Sequence, residues 1–268
     1  MIPTWLTDSV TCDLDRALHY TMLWGLEAVE LRAVGKHCER VPFVNEARLR
    51  RRLDENELPV AAIDPGLFLG PAEDRAGWMN EIASLDDTLA FCTRIGCTRL
   101  IVSSFASSPE HAATAAEALR RAADRSARAG VDLIVFHEAD TCAPDAQALA
   151  ELLDRVDHPA VRAGWDPASA VMQGDDPADG LPRLANRLGF VRCADALPAK
   201  QSWRPASFGE GAVDWGARLR ELRDIGYAGP LSLCVQVEPK PKEGLRAATR
   251  LHELIRQSAA RPSDHLAT

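Results

Sequence analysis

Short apolar segments and longer segments with helical periodicity alternate along the whole chain. Each apolar segment has the length of a buried strand, and the segments between them repeat apolar residues every three or four positions. Eight strands are predicted, at residues 3–8, 27–32, 59–64, 98–104, 131–137, 161–166, 189–194 and 230–236. A repeated strand–helix order is typical of βαβ units and therefore of a parallel sheet.

The amphipathic segments between these strands predict helices at residues 13–24, 46–56, 75–95, 109–129, 145–156, 179–187, 214–225 and 244–257. Glycines shortly before strands indicate helix ends, because a left-handed glycine commonly closes a helix; they are Gly25, Gly96, Gly130, Gly189 and Gly226. Eight strands joined by helices predict an α/β fold of the (β/α)8 type, a TIM barrel, which typically needs about 250 residues.

The main alternative is an open, doubly wound sheet. Such sheets usually carry a phosphate-binding G-x-G-x-x-G turn after an early strand, and the chain contains none. No linker rich in Gly or Ser interrupts the strand–helix order, so we predict a single barrel domain over residues 1–257. Residues 258–268 lack an apolar period and are predicted to form a disordered C-terminal tail.

Composition and charge narrow the classes of function. The chain of 268 residues is 26% charged, with a formal net charge of −8. An acidic surplus does not attract a phosphate backbone, so nucleic acid is not an expected partner. The chain has no apolar stretch long enough to span a bilayer, and its first residues do not resemble a secretory signal. We therefore expect a cytoplasmic protein with no membrane partner.

Seven cysteines are spread along the chain, at positions 12, 38, 92, 97, 142, 193 and 234. Their number is odd, no C-x-x-C pair occurs, and a chain of this size does not need cross-links to fold. We expect free thiols; the alternative, a disulfide framework, would be favoured by secretion.

In barrels of this type the reacting groups lie at the C-terminal ends of the strands and in the loops that follow. Those positions are polar in this chain. They hold Glu30, Arg32, Asp64, Ser103, Ser104, His137, Glu138, Asp166, Arg192, Asp195, Cys234, Gln236 and Glu238. This concentration predicts that the functional site lies at that end of the barrel.

Three segments resemble a known family. They are G-L-E-A-V-E-L-R at residues 25–32, F-G-E-G-A-V-D-W at residues 208–215 and G-Y-A-G-P-L-S-L at residues 226–233. They look like the sugar phosphate isomerase/epimerase family, whose barrel is shared with xylose isomerase, tagatose epimerase, inosose dehydratase and endonuclease IV. The resemblance extends over nearly the whole predicted barrel.

The resemblance implies a divalent cation, Mn²⁺, Mg²⁺, Co²⁺ or Zn²⁺, held by three carboxylates and a histidine on strands five to eight. Such a cation polarises a substrate carbonyl while a carboxylate moves a proton. Asp166 matches the family ligand of strand six. The other three ligand positions hold Phe136, Arg192 and Cys234, and Ser169 stands where the family often has a further histidine.

Glu138 is the candidate replacement for the missing carboxylate of strand five, because it lies two residues after Phe136 and on the same side of the strand. Asp166 and Glu138 would then be the two remaining metal ligands. Arg192 cannot bind a cation, because its guanidinium stays protonated. It either replaces the cation electrostatically, by pairing with a carboxylate of the protein or substrate, or only fills the vacated cavity as an ion-pair partner.

Further strand-end residues are candidates for substrate binding: Glu30, His137, Lys200, Arg204 and Cys234. Lys200 and Arg204 follow strand seven, where they would face a sugar hydroxyl or phosphate. Cys234, His137 and Asp166 also form a borderline-soft set acceptable to Zn²⁺. The ordinary structural alternative for Asp166 is to cap the segment that follows it.

The leading hypothesis is an isomerase or epimerase that acts on a sugar, polyol or sugar phosphate by proton transfer, with Asp166, Glu138 and Arg192 as catalytic residues. The replaced metal ligands give the alternative, a non-catalytic relative that binds a sugar-like ligand or a partner. Endonuclease-IV-like DNA repair would need a multi-metal cluster and many histidines, which the strand ends do not supply. Because members of this fold often dimerise, a homodimer is a further expectation.

Overall fold

Eight parallel strands close into a barrel in the computed structural model, which describes residues 1–200 and 202–259. The strands pair in chain order, and the last pairs with the first. We name them β1 to β8: Ile2–Leu6, Ala28–Leu31, Val60–Ile63, Arg99–Val102, Asp132–Phe136, Val161–Trp165, Leu188–Cys193 and Pro230–Leu233. The predicted TIM barrel is confirmed, and each predicted strand overlaps an observed one.

Nine α-helices lie in the described part of the chain. We name them α1 to α9: Leu14–Leu23, Glu46–Glu55, Arg75–Arg94, Ala112–Arg128, Ala146–Val156, Pro167–Gln173, Pro177–Leu184, Trp215–Asp224 and Lys240–Ala259. Several begin after an Asp or Asn whose side chain accepts a backbone N–H of the first turn, which satisfies a donor that the helix leaves free. Within the described residues, no helix has the length and hydropathy needed to cross a membrane.

Some element boundaries differ from the prediction. Helix α6 was not predicted, because it is short and follows β6 without a break. Gly189 does not end a helix but lies inside β7, where an added Cβ would come within 2.7 Å of Ile134 Cδ1. The last helix includes Ser258, which is buried, so the predicted tail does not begin there. Residues 260–268 of that tail lie outside the described residues.

The barrel interior is apolar at its lower levels and polar at the C-terminal mouth. Small and aliphatic side chains with one aromatic ring form the interior cluster: Ala28, Ala61, Ala62, Ile101, Ile134 and Phe190. A larger apolar cluster fills the layer between the strands and the helices. The polar side chains that follow therefore rest on a packed, rigid base.

Two antiparallel hairpins follow barrel strands and were not predicted. The first pairs Ala33–Val34 with Glu39–Arg40 after β2, and the second pairs Ala196–Ala199 with Ser202–Pro205 after β7. Their strands are too short to give a readable alternation of apolar and polar residues. We refer to them as the β2 hairpin and the β7 hairpin.

A disulfide joins Cys12, in the loop before α1, to Cys38 in the β2 hairpin. The expectation of free thiols was therefore wrong for these two cysteines. No local pattern indicates the pair, because a loop and an unpredicted hairpin meet only in the folded barrel. The other five cysteines are free.

Removing this disulfide should destabilise the fold. We expect the paired substitutions Cys12→Ser and Cys38→Ser to lower the free energy of unfolding by about 3.5 kcal/mol, the loop-closure value for a sequence separation of 26. Urea denaturation with and without dithiothreitol measures the change. Dithiothreitol should shift the wild type onto the curve of the double variant and leave the double variant unmoved; an unmoved wild type would mean that no bond exists in solution.

Candidate functional site

A buried ion pair occupies the mouth of the barrel. Nη2 of Arg192, on β7, donates to one carboxylate oxygen of Glu30, on β2. The second oxygen of Glu30 accepts from the hydroxyl of Ser232, which stands beside Arg192 in the register of β7 and β8. Both oxygens of Glu30 are thus engaged within the protein.

Each group of this pair stabilises the charged form of the other. Glu30 has no exposed surface, and a carboxylate so buried needs a cation beside it. Burial is the largest single influence and opposes the charged form of Arg192, but Glu30, Cys234, Asp166 and Asp64 together outweigh it and raise the pKa of the guanidinium above its ordinary value. The site therefore has a fixed positive charge, and Glu30 contacts Arg192 where the sequence had assigned it to a substrate.

An aromatic ring supports the guanidinium. Cζ of Arg192 lies 4.7 Å from the ring centroid of Phe136, which meets Phe190 edge-on at a centroid distance of 6.2 Å. Gly164 is the register partner of Phe136 on β6, and an added Cβ there would lie 2.6 Å from the ring. The glycine lets the ring lie against the barrel wall. Ion pair and cation–π contact together fix the orientation of Arg192.

Arg192 also has a donor to spare. Its Nε is buried and has no hydrogen-bond partner among the described residues. Unpaired buried donors are uncommon and costly, and they occur where a ligand or water completes the site. The side chain as a whole keeps 19% of its surface exposed, so part of it is open to solvent.

Asp166 lies at the end of β6 and begins α6. One carboxylate oxygen, Oδ1, accepts the backbone N–H groups of Ala168 at 3.0 Å and Ser169 at 3.1 Å. The capping role that the sequence left open is therefore present. The side chain is half-buried, and its second oxygen has no hydrogen bond to the described residues. Asp166 is close enough to Arg192 to raise the pKa of that side chain.

His137 and Glu138 have different surroundings after β5. His137 is buried, and its Nε2 accepts the backbone N–H of Asp166 at 3.4 Å, which places the ring proton on Nδ1. Burial lowers the pKa of His137, although Asp166 opposes the shift, so the ring is neutral. Glu138 is exposed and its hydrogen bonds to described residues involve its backbone. The structure does not bring Glu138 into contact with Asp166.

The remaining candidates are Cys234, whose thiol is unreactive, and two cations of the β7 hairpin, Lys200 and Arg204. Burial raises the pKa of the Cys234 thiol, although Arg192 opposes the shift, so the reactive thiolate is disfavoured. Lys200 follows the first strand of the β7 hairpin, and Arg204 belongs to its second strand. Both side chains are exposed, and neither forms an ion pair within residues 1–200 and 202–259. The hairpin that carries them packs beside α6.

Two further ion pairs flank the mouth. Arg32 contacts Asp8 at 2.8 Å, and Arg40 of the β2 hairpin contacts Asp64 at 2.6 Å. Asp8 ends the first predicted strand but was not among the strand-end candidates, and Arg40 was not a candidate because it lies well beyond the second predicted strand. Each of these pairs is neutral, as is the central one, so among these groups the carboxylate of Asp166 is the charge left over.

The segment that most resembles the family has a structural role. The buried carboxylate of Asp195 accepts backbone N–H groups from Ala196, Gly209, Gly211 and Val213. An added Cβ on Gly211 would lie 2.0 Å from Oδ1 of Asp195. The G-E-G sequence therefore shapes the loop after the β7 hairpin and does not supply reacting groups.

The residues at the mouth do not fit the divalent cation that the family resemblance implies. Two of the four ligand positions hold Phe136 and Arg192, an aromatic ring and a guanidinium in contact with each other. Glu138 points to solvent, and the Cys234 thiol is held in its neutral form. In the part of the chain that the structure describes, no group of three or more His, Cys, Asp or Glu side chains could hold a metal.

Metal addition and removal should therefore leave the protein unchanged. Elemental analysis of protein purified without chelator or affinity metal is expected to find much less than one Mn, Co or Zn per chain. Neither EDTA nor these cations should move the midpoint of thermal unfolding, because a ligand stabilises only a fold that binds it. Stoichiometric metal that disappears in Asp166→Ala would contradict this expectation.

A known protein family matches this chain over most of its length, and a curated protein matches about half of it. Residues 21–255 match the family described as xylose isomerase-like TIM barrel. Among curated proteins, inosose dehydratase from Clostridium perfringens is 23% identical over 159 residues, which is 54% of each chain. The chain therefore aligns with about half the length of this curated relative.

Solved structures extend the likeness to the whole barrel. The probable 3-DHS dehydratase AsbF from Bacillus anthracis has a TM-score of 0.80 at 16% identity, covering 94% of this chain and 99% of that one. L-ribulose 3-epimerase has a TM-score of 0.78 at 17% identity, covering 97% and 99%. At such identities the likeness shows the fold alone.

Proposed function

The chain belongs to the xylose isomerase-like TIM barrel family, and we propose that it is a sugar-modifying enzyme of the isomerase or epimerase type that transfers a proton without a divalent metal. The observation that carries the proposal is the fixed guanidinium of Arg192, held by Glu30 and Phe136 at the mouth and close to the carboxylate of Asp166. A fixed cation and a nearby base are what proton removal beside a carbonyl requires.

In this proposal Asp166 takes a proton from the carbon next to a substrate carbonyl. The C–H electrons then form a C=C bond, and the carbonyl electrons move onto its oxygen. Arg192 stabilises that oxyanion with its free donors. An isomer forms when the proton returns to the former carbonyl carbon and the hydroxyl proton of the adjacent carbon passes to the oxyanion, so that the carbonyl moves by one carbon. An epimer forms when the original carbon takes a proton from water on its other face and Asp166 gives its proton back to solvent. Atoms and electrons balance without an oxidant or a cofactor.

The charge at the mouth favours an uncharged substrate. The three acid–base pairs cancel, and the carboxylate of Asp166 would repel a phosphate. We therefore propose a polyhydroxylated ketone or aldehyde, a sugar or an oxidised polyol, in preference to a sugar phosphate. The relative named inosose dehydratase makes inososes the first compounds to test.

Solvent deuterium exchange tests the proposal whatever the product is. Ketoses, inososes and their phosphates are incubated with the protein in D₂O containing EDTA, and proton NMR follows the signal beside the carbonyl. We expect loss of that signal for at least one uncharged substrate, at the same rate with and without EDTA. Exchange that needs an added metal, or that occurs only for phosphates, would overturn the proposal in this form.

The second candidate is a barrel that binds a sugar-like ligand without turning it over. The exposed position of Glu138 favours it, because Asp166 is then the one carboxylate among the described mouth residues that is not held in an ion pair, whereas proton transfer between two sites often uses two groups. Calorimetric binding of a sugar or polyol with no deuterium exchange in any compound would establish this alternative.

The cellular location and the oligomeric state of the protein remain predictions. A cytoplasmic homodimer is the expectation from the sequence. The disulfide between Cys12 and Cys38 counts against the cytoplasm, because oxidising compartments favour such bonds. Size-exclusion chromatography with light scattering, and thiol labelling of protein taken from intact cells, would test the two expectations separately.

A further inference from the structure

A small cavity lies on the outside of the barrel, between the start of α5 and helices α6 and α7. Its volume is about 250 Å³. This is slightly below the range of about 300–1,000 Å³ that is usual for drug-sized ligands, so the cavity suits a smaller molecule. Neither Asp166 nor Arg192 lines it, and the cavity is therefore separate from the site already described.

The inner wall of this cavity includes a buried donor without a partner. Trp165, the last residue of β6, has no exposed surface, and its Nε1 has no hydrogen-bond partner among the described residues. This nitrogen lies 3.8 Å from the position that a Cβ on Gly180 would take, and both residues line the cavity. Buried donors normally have an acceptor, and an oxygen of a ligand in the cavity would supply it here.

The cavity also has an excess of negative charge. Five charged side chains line it: Asp145, Asp175, Asp176, Asp179 and Arg183. Arg218 of α8 lies 3.6 Å from Asp176, and Arg183 can offset one more carboxylate, which leaves two. Helices α5 and α7 begin beside the cavity, and each N-terminus adds about half a positive charge. These partial charges offset one carboxylate at most, so the cavity stays negative and attracts a cation.

Asp175 and Asp179 are the carboxylates available to that cation. Both are exposed, and neither side chain forms a hydrogen bond or an ion pair with a described residue. Asp145 and Asp176, by contrast, each accept a backbone N–H in the first turn of a helix. Within the described residues no three His, Cys, Asp or Glu side chains are arranged to hold a metal ion. The cation that fits is therefore an organic one, which brings its own N–H donors.

We propose that this cavity binds a small amino alcohol, a primary ammonium compound with a hydroxyl group on the neighbouring carbon. The ammonium group donates to Asp175 and Asp179, and the hydroxyl oxygen accepts the indole N–H of Trp165. Ala146 and Gly180 are buried small residues of the wall and leave room for the carbon chain. The proposal does not rest on the function proposed for the mouth, whose substrate is an uncharged carbonyl compound.

The probe for this site is serinol, a three-carbon ammonium compound with two hydroxyl groups. The chain has six tryptophans, so a ¹⁵N-labelled sample gives six indole cross-peaks, and Trp165→Phe identifies the one from Trp165. Serinol should move this peak saturably and leave the other indole peaks in place. Glycerol lacks the ammonium group and isopropylammonium lacks the hydroxyl groups, so each should bind about tenfold more weakly.

Matched variants separate this cavity from the general charge of the protein. Asp175→Asn with Asp179→Asn should weaken serinol binding about tenfold, because the carboxylates that pair with the ammonium group are lost. Asp87→Asn with Asp224→Asn removes the same charge from exposed positions of α3 and α8 that do not line the cavity. This control pair should leave the affinity unchanged. None of the four aspartates caps a helix, so both double variants should keep the thermal midpoint of the wild type.

Four results would each overturn the proposal, and none of them depends on deuterium exchange at the mouth. If serinol leaves the Trp165 peak in place, nothing binds beside this donor. If glycerol binds as tightly as serinol, the cavity does not select a cation. If isopropylammonium binds as tightly, the hydroxyl group is not recognised. If the control pair weakens binding as much as the Asp175 and Asp179 pair does, the cation is attracted by net charge and not by these carboxylates.

Discussion

Asp166→Asn is expected to slow deuterium exchange by a factor of about 10²–10⁴, the usual contribution of a positioned acid–base group. The same variant should unfold at nearly the wild-type urea concentration. Asparagine caps helices about as well as aspartate, so the bonds from Ala168 and Ser169 to the cap survive while the basic carboxylate is lost. The pair of measurements separates the chemical role of Asp166 from its structural role.

Asp166→Ala is the matched comparison, because it removes both roles. It should lose exchange as completely as Asp166→Asn and also cost about 1 kcal/mol of stability through the lost cap. If Asp166→Asn exchanges at the wild-type rate while Asp166→Ala is merely less stable, Asp166 serves only to begin α6, and the non-catalytic candidate gains.

The barrel could be predicted because its signals are local. Each strand is a short apolar run and each helix shows a 3.6-residue period, so a window of a dozen residues contains the information. The parts that were missed depend on contacts between distant segments. The disulfide of Cys12 and Cys38 and the ion pair of Arg40 with Asp64 both require the β2 hairpin, whose paired strands contain two residues each.

The same limit applies to the site. Position at a strand end was enough to select Asp166 and Arg192 as candidates, and the structure brings them within electrostatic reach of each other. It was not enough to show what each strand-end group contacts. Glu30 was a candidate for substrate binding, yet its oxygens are used by Arg192 and by Ser232, a residue that the sequence did not mark.

The mouth places a protein cation where its relatives are implied to hold a metal. A guanidinium differs from a divalent cation in having one charge and directed donors, so it orients an oxygen more than it polarises it. The guanidinium is also part of the chain and is kept in position by Glu30 and Phe136, whereas a metal ion can dissociate from its ligands. The chemistry proposed for this barrel therefore does not depend on metal supply.

The central ion pair should behave as a unit in stability measurements. Arg192→Met leaves the buried carboxylate of Glu30 without a cation and is expected to lower the free energy of unfolding by about 3–5 kcal/mol. Glu30→Met should cost a similar amount, because it leaves the guanidinium unpaired. The double variant should lose much less than the sum of the two, since apolar pairs of similar volume often replace buried ion pairs at little cost.

Urea denaturation of the four proteins in this cycle gives the coupling energy between Arg192 and Glu30. A matched cycle on Arg94 and Glu46, an ion pair whose side chains are 47% and 27% exposed, should give less than about 1 kcal/mol.

Arg192→Met and the double variant should both lack deuterium exchange, even though the double variant is nearly as stable as the wild type. Additive losses at the mouth would mean that the two charges are not paired in solution. Exchange that survives in the double variant would remove Arg192 from the proposed chemistry.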